Sequence, residues 1–126
     1  MAIQVLIVED DKFLSELIST KLTKEGFDIH LATDGEVGMQ MAEEKNPDII
    51  LLDIMLPGMS GFEVLEALKG HEKEAVKNIP VLILSNFGQE TKVKQGIELG
   101  AVDYLVKANF TTGEIVEKIK TTLGEA

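Results

Sequence analysis

Short runs of continuously apolar residues alternate with segments whose apolar residues recur at helical spacing, and few folds accommodate that alternation. The runs are residues 3–8 (IQVLIV), 28–32 (DIHLA), 49–52 (IILL), 81–84 (VLIL) and 102–106 (VDYLV). β-Branched runs of this length, apolar on both faces, read as strands covered on both sides, as in a parallel sheet. The run 49–52 is short enough to be a helix fragment, but Pro57-Gly58 follows it closely and favours a strand ending in a turn.

Between the runs lie amphipathic stripes. Leu14, Leu17, Ile18 and Leu22 form the first, Val37 and Met41 the second, Leu65 and Leu68 the third, Val93 and Ile97 the fourth, and Ile115, Val116, Ile119 and Leu123 the fifth. Gly26, Asn46-Pro47, Gly70 and Gly100 stop the first four helices, and Thr111 or Thr112 caps the fifth. The pattern βαβαβαβαβα predicts an α/β chain. Its architecture is a (βα)5 doubly wound, flavodoxin-like fold with a five-stranded parallel sheet in the order 2-1-3-4-5. Residues 1–126 read as one domain. The polar stretch 70–78 (GHEKEAVKN) reads as a surface extension of the third helix and its loop, without chemistry.

Charge narrows the partners. Asp+Glu number 22 against 12 basic residues, all lysine, for a net charge of −10. Such a surface repels phosphate backbones and anionic lipid, so the expectation is no direct nucleic acid binding and no membrane association. Cysteine is absent, which excludes disulfides and thiolate metal sites. Met1-Ala2-Ile3-Gln4 lacks the marks of a secretory leader, and cytoplasmic placement is the expectation.

In an open α/β sheet, ligands bind at the carboxyl ends of the strands beside the reversal of strand order. There the sequence places Glu9, Asp10 and Asp11 after the first strand, Asp53 after the third, Ser85 and Asn86 after the fourth and Lys107 after the fifth. Taken singly these are ordinary choices: an acidic run opens a helix, an aspartate starts a turn, a serine caps, a lysine solvates. Together they fall on one edge of one sheet. Carboxylates brought within about 5 Å repel, and a hard divalent cation relieves this. Mg²⁺ suits an all-oxygen site without clustered histidine or cysteine. Glu9, Asp10, Asp53 and Lys107 sum to −2, which one Mg²⁺ neutralises. Asp53 then reads as a nucleophile toward a phosphoryl group, with Lys107 and Ser85 contacting the phosphoryl oxygens.

With those residues in view, the chain resembles the receiver domain of bacterial two-component response regulators, of the single-domain chemotaxis-regulator kind. The matching stretches are LIVEDD at 6–11, LLDIMLPGMSGFEVL at 51–65, PVLILS at 80–85 and GAVDYLVK at 100–107. The resemblance implies that Asp53 is the phospho-acceptor and that Glu9 and Asp10 hold Mg²⁺, Asp10 more directly. Asp11 is a frame-shifted rival that better suits the start of the first helix. The resemblance also implies a Met55 backbone carbonyl on the metal, Ser85 as switch hydroxyl, Lys107 as the family's lysine, and Tyr104 as the aromatic that turns inward on activation. The donor is a sensor histidine kinase or a histidine phosphotransfer protein. The output is a downstream protein or a fused domain, with dimerisation on phosphorylation allowed. Residues 89–99, Tyr104 and residues 114–123 are the expected output surface. The first helix, with Phe13, is the expected donor docking face. The domain catalyses only its own phosphorylation and dephosphorylation, so it is not a turnover enzyme.

The departures from the family pattern are local. Ala108 follows Lys107 where proline is usual, and a cis bond there costs about 3 kcal/mol more than before proline, which bears on where Lys107 aims. Asn86 replaces a small residue and could hinder access to Asp53. Met55 and Phe87 occupy positions that tune hydrolysis; both are apolar and neither orients an attacking water, so a long-lived aspartyl phosphate is expected. A flavodoxin-like electron carrier would need a phosphate-cradling loop where the three acids stand, and a P-loop hydrolase would need GxxxxGK[ST], which is absent. A phosphorylation-independent pseudo-receiver acting as a scaffold is the remaining alternative.

Overall fold

The computed structural model describes residues 2–124; Met1, Glu125 and Ala126 lie outside the described residues. The elements are β1 (Gln4–Val8), α1 (Lys12–Lys24), β2 (Asp28–Ala32), α2 (Gly35–Lys45), β3 (Ile49–Leu52), α3 (Gly61–Lys69), α4 (Glu74–Lys77), β4 (Val81–Ser85), α5 (Glu90–Glu98), β5 (Asp103–Val106) and α6 (Thr112–Thr122). A single 3₁₀ turn, Lys107–Asn109, follows β5. The strands form one parallel sheet in the expected order, β2-β1-β3-β4-β5.

Alternate residues of each central strand serve two cores, which is why the runs are apolar throughout. Leu6, Val8, Ile50, Leu52, Val81 and Ile83 face α2, α3 and α5. Val5, Ile7, Ile49, Leu51, Leu82 and Leu84 face Ile18 and Leu22 of α1 and Ile115, Val116 and Ile119 of α6. Helix ends follow local chemistry. The Asp11 side chain accepts from the Leu14 amide at 3.1 Å and caps α1. Thr111, not Thr112, caps α6 in a reciprocal capping box with Glu114. Asn46 ends α2 in the left-handed region at φ +44°.

Four local expectations change. Residues 70–78 do not extend α3: Gly70 ends that helix and α4 follows separately, because Val76 and Ile79 are apolar and reach the core. The Lys69 ammonium donates to the carbonyls of Ile79 (2.8 Å) and Lys77 (3.3 Å), tying α3 to the exit of α4. On α5 the stripe splits: Val93 packs inward, Ile97 is exposed, and the buried position is Gly96. Strand β2 lies at the sheet edge with fewer neighbours, so Leu31 is exposed and only Ala32 is fully covered. Leu17, on the expected stripe of α1, is also exposed. Among the described residues no helix is long and apolar enough to cross a membrane.

Candidate functional site at the carboxyl edge of the sheet

The ends of β1 and β3 are level, Val8 pairing with Leu52, so the residues just beyond them are neighbours. The Asp53 amide donates to the Val8 carbonyl (3.0 Å) and the Glu9 amide to the Ala32 carbonyl (2.9 Å), which carries the ladder one step past the strands. Asp53 and Glu9 are thereby held buried, with side chains at the reversal of strand order. Ser85, also buried, ends β4 opposite Val106, and Lys107 follows immediately. Four positions spread along the chain meet in one place because four strand ends are in register.

Lys107 joins the two sides of that place. Its Nζ lies 2.7 Å from Glu9 Oε1 and 3.2 Å from Asp53 Oδ2. The Lys107–Ala108 bond is trans, and the side chain reaches both carboxylates all the same. Asp53 Oδ1 accepts from the Met55 amide at 3.2 Å, and Glu9 Oε2 from the Asp11 amide at 3.1 Å. The charges perturb one another. Burial pushes the Glu9 carboxyl up to about 7, the adjacent Asp53 carboxylate adds to this, and the Lys107 ammonium opposes it. Burial alone would lower Lys107; the Glu9 and Asp53 carboxylates outweigh it and hold the ammonium's pKa above the ordinary lysine value.

The donor set fits a hard divalent cation. Glu9, Asp10 and Asp53 each offer a carboxylate oxygen, and these lie within 4.8 Å of one another. Glu9 Oε1 is buried and accepts no aligned hydrogen bond; its contact with Lys107 is ion pairing alone. A buried oxygen in that condition beside two other carboxylates is what an oxygen-ligated ion, or water bound to one, would satisfy.

The remaining expected residues fall around this centre. Asp10, Asp11, Asp53, Met55, Asn86 and Lys107 help line an open cleft of about 370 Å³. Asp11 lines it while its side chain caps α1, which separates it from the Glu9–Asp10–Asp53 group. Asn86 and Ala108 are exposed, and the Met55 side chain is 59% exposed. Tyr104 is inward, 7% exposed, with its hydroxyl donating to the Phe87 carbonyl at 2.6 Å. The Phe87 amide donates to Ser85 Oγ at 3.1 Å. Burial holds the Tyr104 phenol above its ordinary pKa.

Two glycines matter that the motif reading passes over. A Cβ on Gly61 would meet the Asp53 carbonyl oxygen and stand 2.6 Å from Ile54 Cα, so the first turn of α3 packs directly on the backbone that carries Asp53. The Gly61 amide donates to the Ile54 carbonyl at 2.8 Å across the same contact. Gly96 sits inside α5, where glycine costs about 0.5–1 kcal/mol relative to alanine. Such a glycine signals a close approach, and that signal was available in the sequence.

A second hollow, of about 330 Å³, lies on α1 away from this centre, lined by Phe13, Glu16, Leu17, Thr20, Lys21 and Lys24. None of the Glu9, Asp10, Asp53 and Lys107 group lines it.

The family model described as the response regulator receiver domain matches residues 5–120. The receiver domain of the Francisella response regulator 1452 is 30% identical, with 96% of each chain covered and a TM-score of 0.86. The chemotaxis response regulator CheY4 of Vibrio cholerae is 26% identical over 96% of this chain and 98% of that one, with a TM-score of 0.86. The CheX–CheY–BeF3–Mg²⁺ complex from Borrelia burgdorferi contains a chain 30% identical, covering 95% of this chain and 88% of that one, with a TM-score of 0.84.

Proposed function

Because the chain belongs to the response regulator receiver domain family, a family of signalling domains, we propose that it accepts a phosphoryl group on Asp53 and relays that event to its surface. The supporting observation is the convergence of Glu9, Asp10, Asp53 and Lys107 from three strand ends into one cluster, of which Asp10, Asp53 and Lys107 line the cleft.

In the proposed step an Asp53 carboxylate oxygen attacks the phosphorus of a phosphohistidine. The O–P bond forms as the N–P bond breaks, and its electron pair returns to the imidazole nitrogen of the donor. Lys107 leaves its Asp53 oxygen to pair with a phosphoryl oxygen, and the Ser85 hydroxyl donates to another. Mg²⁺, held by Glu9, Asp10, Asp53 and the Met55 carbonyl, would supply neutralisation of the developing charge. The BeF3 and Mg²⁺ in the complex of the Borrelia relative support this choice of ion. Met55 and Phe87 are apolar and neither orients an attacking water, so hydrolysis of the aspartyl phosphate is slow.

A histidine kinase or phosphotransfer protein docks on α1, where Phe13 is 74% exposed and Leu17 is exposed beside it. The output surface comprises α5, β5 and α6, read by a downstream protein or a fused domain, or by a second copy on phosphorylation. The module as a whole works as one domain. Incubation with a small acyl phosphate and Mg²⁺ tests the reading: one phosphoryl group is gained per chain, and Asp53→Asn gains none. No gain in the native chain would support the scaffold reading instead, and gain in Asp53→Asn would move the acceptor elsewhere.

A further inference from the structure

Gly96 is the buried residue of α5. A Cβ built there would stand 2.6 Å from Ile83 Cδ1, 3.1 Å from Tyr104 Cδ2 and 3.6 Å from Phe62 Cε1. The first separation is closer than packed carbon atoms approach, and the second is tighter than most such contacts, so a neighbour must give way. Of the three neighbours, Ile83 lies in the middle of β4, fully enclosed in the core. Phe62 is buried beneath the Lys92 ammonium, which sits 5.7 Å from its ring centroid. Tyr104 is on the edge strand β5, and its hydroxyl is tied to Phe87 in the connection between β4 and α5. The tyrosine ring is therefore the neighbour with a route outward.

That ring closes a short chain of contacts that begins at the site. Ser85 Oγ accepts from the Phe87 amide, and the Phe87 carbonyl accepts from the Tyr104 hydroxyl. Both backbone polar groups of Phe87 are thus taken, one by Ser85 at the end of β4 and the other by the residue under α5. We infer that Gly96 is a positioning residue: the missing side chain makes a notch in α5 that seats the Tyr104 ring inward, within reach of the Phe87 carbonyl. What the seated ring transmits rests on the function proposed above; the seat itself does not.

The chain has one tyrosine and no tryptophan, so its intrinsic fluorescence reports Tyr104 alone. Acrylamide quenching is measured on the unphosphorylated native chain, on Gly96→Ala and on Gly96→Ala/Ile83→Val. The native ring is shielded. In Gly96→Ala the ratio of outward to inward ring rises at least about fivefold, the lower end of what overpacking a core by one methyl produces. Ile83→Val removes the atom nearest the new methyl, and shielding returns in the double variant. All three chains gain one phosphoryl group from an acyl phosphate, while the phosphorylation-dependent change in quenching is lost in Gly96→Ala and restored in the double variant.

Equal shielding in Gly96→Ala and the native chain overturns the inference, as does exposure that Ile83→Val does not relieve. If Gly96→Ala does not fold, the double variant decides: a shielded ring supports the notch and an exposed ring rejects it. Failure of the native chain to gain a phosphoryl group would reject the proposed function, whereas the quenching of the unphosphorylated chains still judges the seat.

Discussion

The Lys107 ammonium stands 2.7 Å from Glu9 Oε1, yet that oxygen accepts no aligned hydrogen bond. The contact pairs the charges without saturating the carboxylate.

Removing the cation from that pair exposes its structural share. Lys107→Ala leaves the buried Glu9 and Asp53 carboxylates facing each other, and stability falls by about 3 kcal/mol, the lower end for breaking a buried ion pair, because the remaining charge is stranded. Urea unfolding at pH 8 measures this, and added Mg²⁺ restores more stability to the variant than it adds to the native chain.

Metal-free protein loses stability as pH rises from 4.5 toward 7. Glu9 keeps its proton in the folded chain up to about 7, against an ordinary value of 4.5, so the folded state binds more protons across that window. The full loss is limited to about 3 kcal/mol. Glu9→Gln flattens the profile between these pH values; an unchanged slope in that variant would locate the titration elsewhere. Lys107 acts at the other end of the scale. Its pKa is raised, so its stabilisation is present at neutral pH and is lost only above the ordinary lysine range.

Asp10 is the exposed member of the carboxylate trio, and its substitution tests the cation without disturbing the buried pair. Asp10→Asn lowers Mg²⁺ affinity at least about tenfold, since even outer partners of a metal contribute that much. Calorimetric titration gives the affinity, and chelation of Mg²⁺ stops phosphoryl uptake in the native chain.

Gly61→Ala drives a methyl into the backbone of Asp53 and Ile54. A backbone cannot step aside as a side chain can, so destabilisation of about 3 kcal/mol is expected, the upper end for overpacking. Phosphoryl uptake by the folded fraction falls as well, because the nucleophile is displaced. Unfolding by urea and the acyl phosphate assay report the two effects separately.

Phe13→Ala separates docking from chemistry. The side chain is 74% exposed, so stability changes by no more than about 0.5 kcal/mol. Uptake from an acyl phosphate is unchanged, and transfer from a phosphohistidine protein slows. Equal rates from the protein donor in both chains would remove α1 from the docking face.

Periodicity and stops along the chain mark the five strands and the residues that follow them, Glu9, Asp10, Asp53, Ser85 and Lys107, while the order 2-1-3-4-5 comes from the general rule for crossovers in a doubly wound sheet. These are local signals: a strand's apolar run, a helix stripe and the residue just past a strand are read within a few positions. The pairing of Lys107 with both Glu9 and Asp53 was not local, nor was the split of α5 into inward Val93 and exposed Ile97. The separate α4 and the fit of Gly96 against Tyr104 belong to the same class. Those features depend on how closely two elements approach and on which side-chain atoms then compete for the same space. Such distances arise only when the sheet and its helices are packed together.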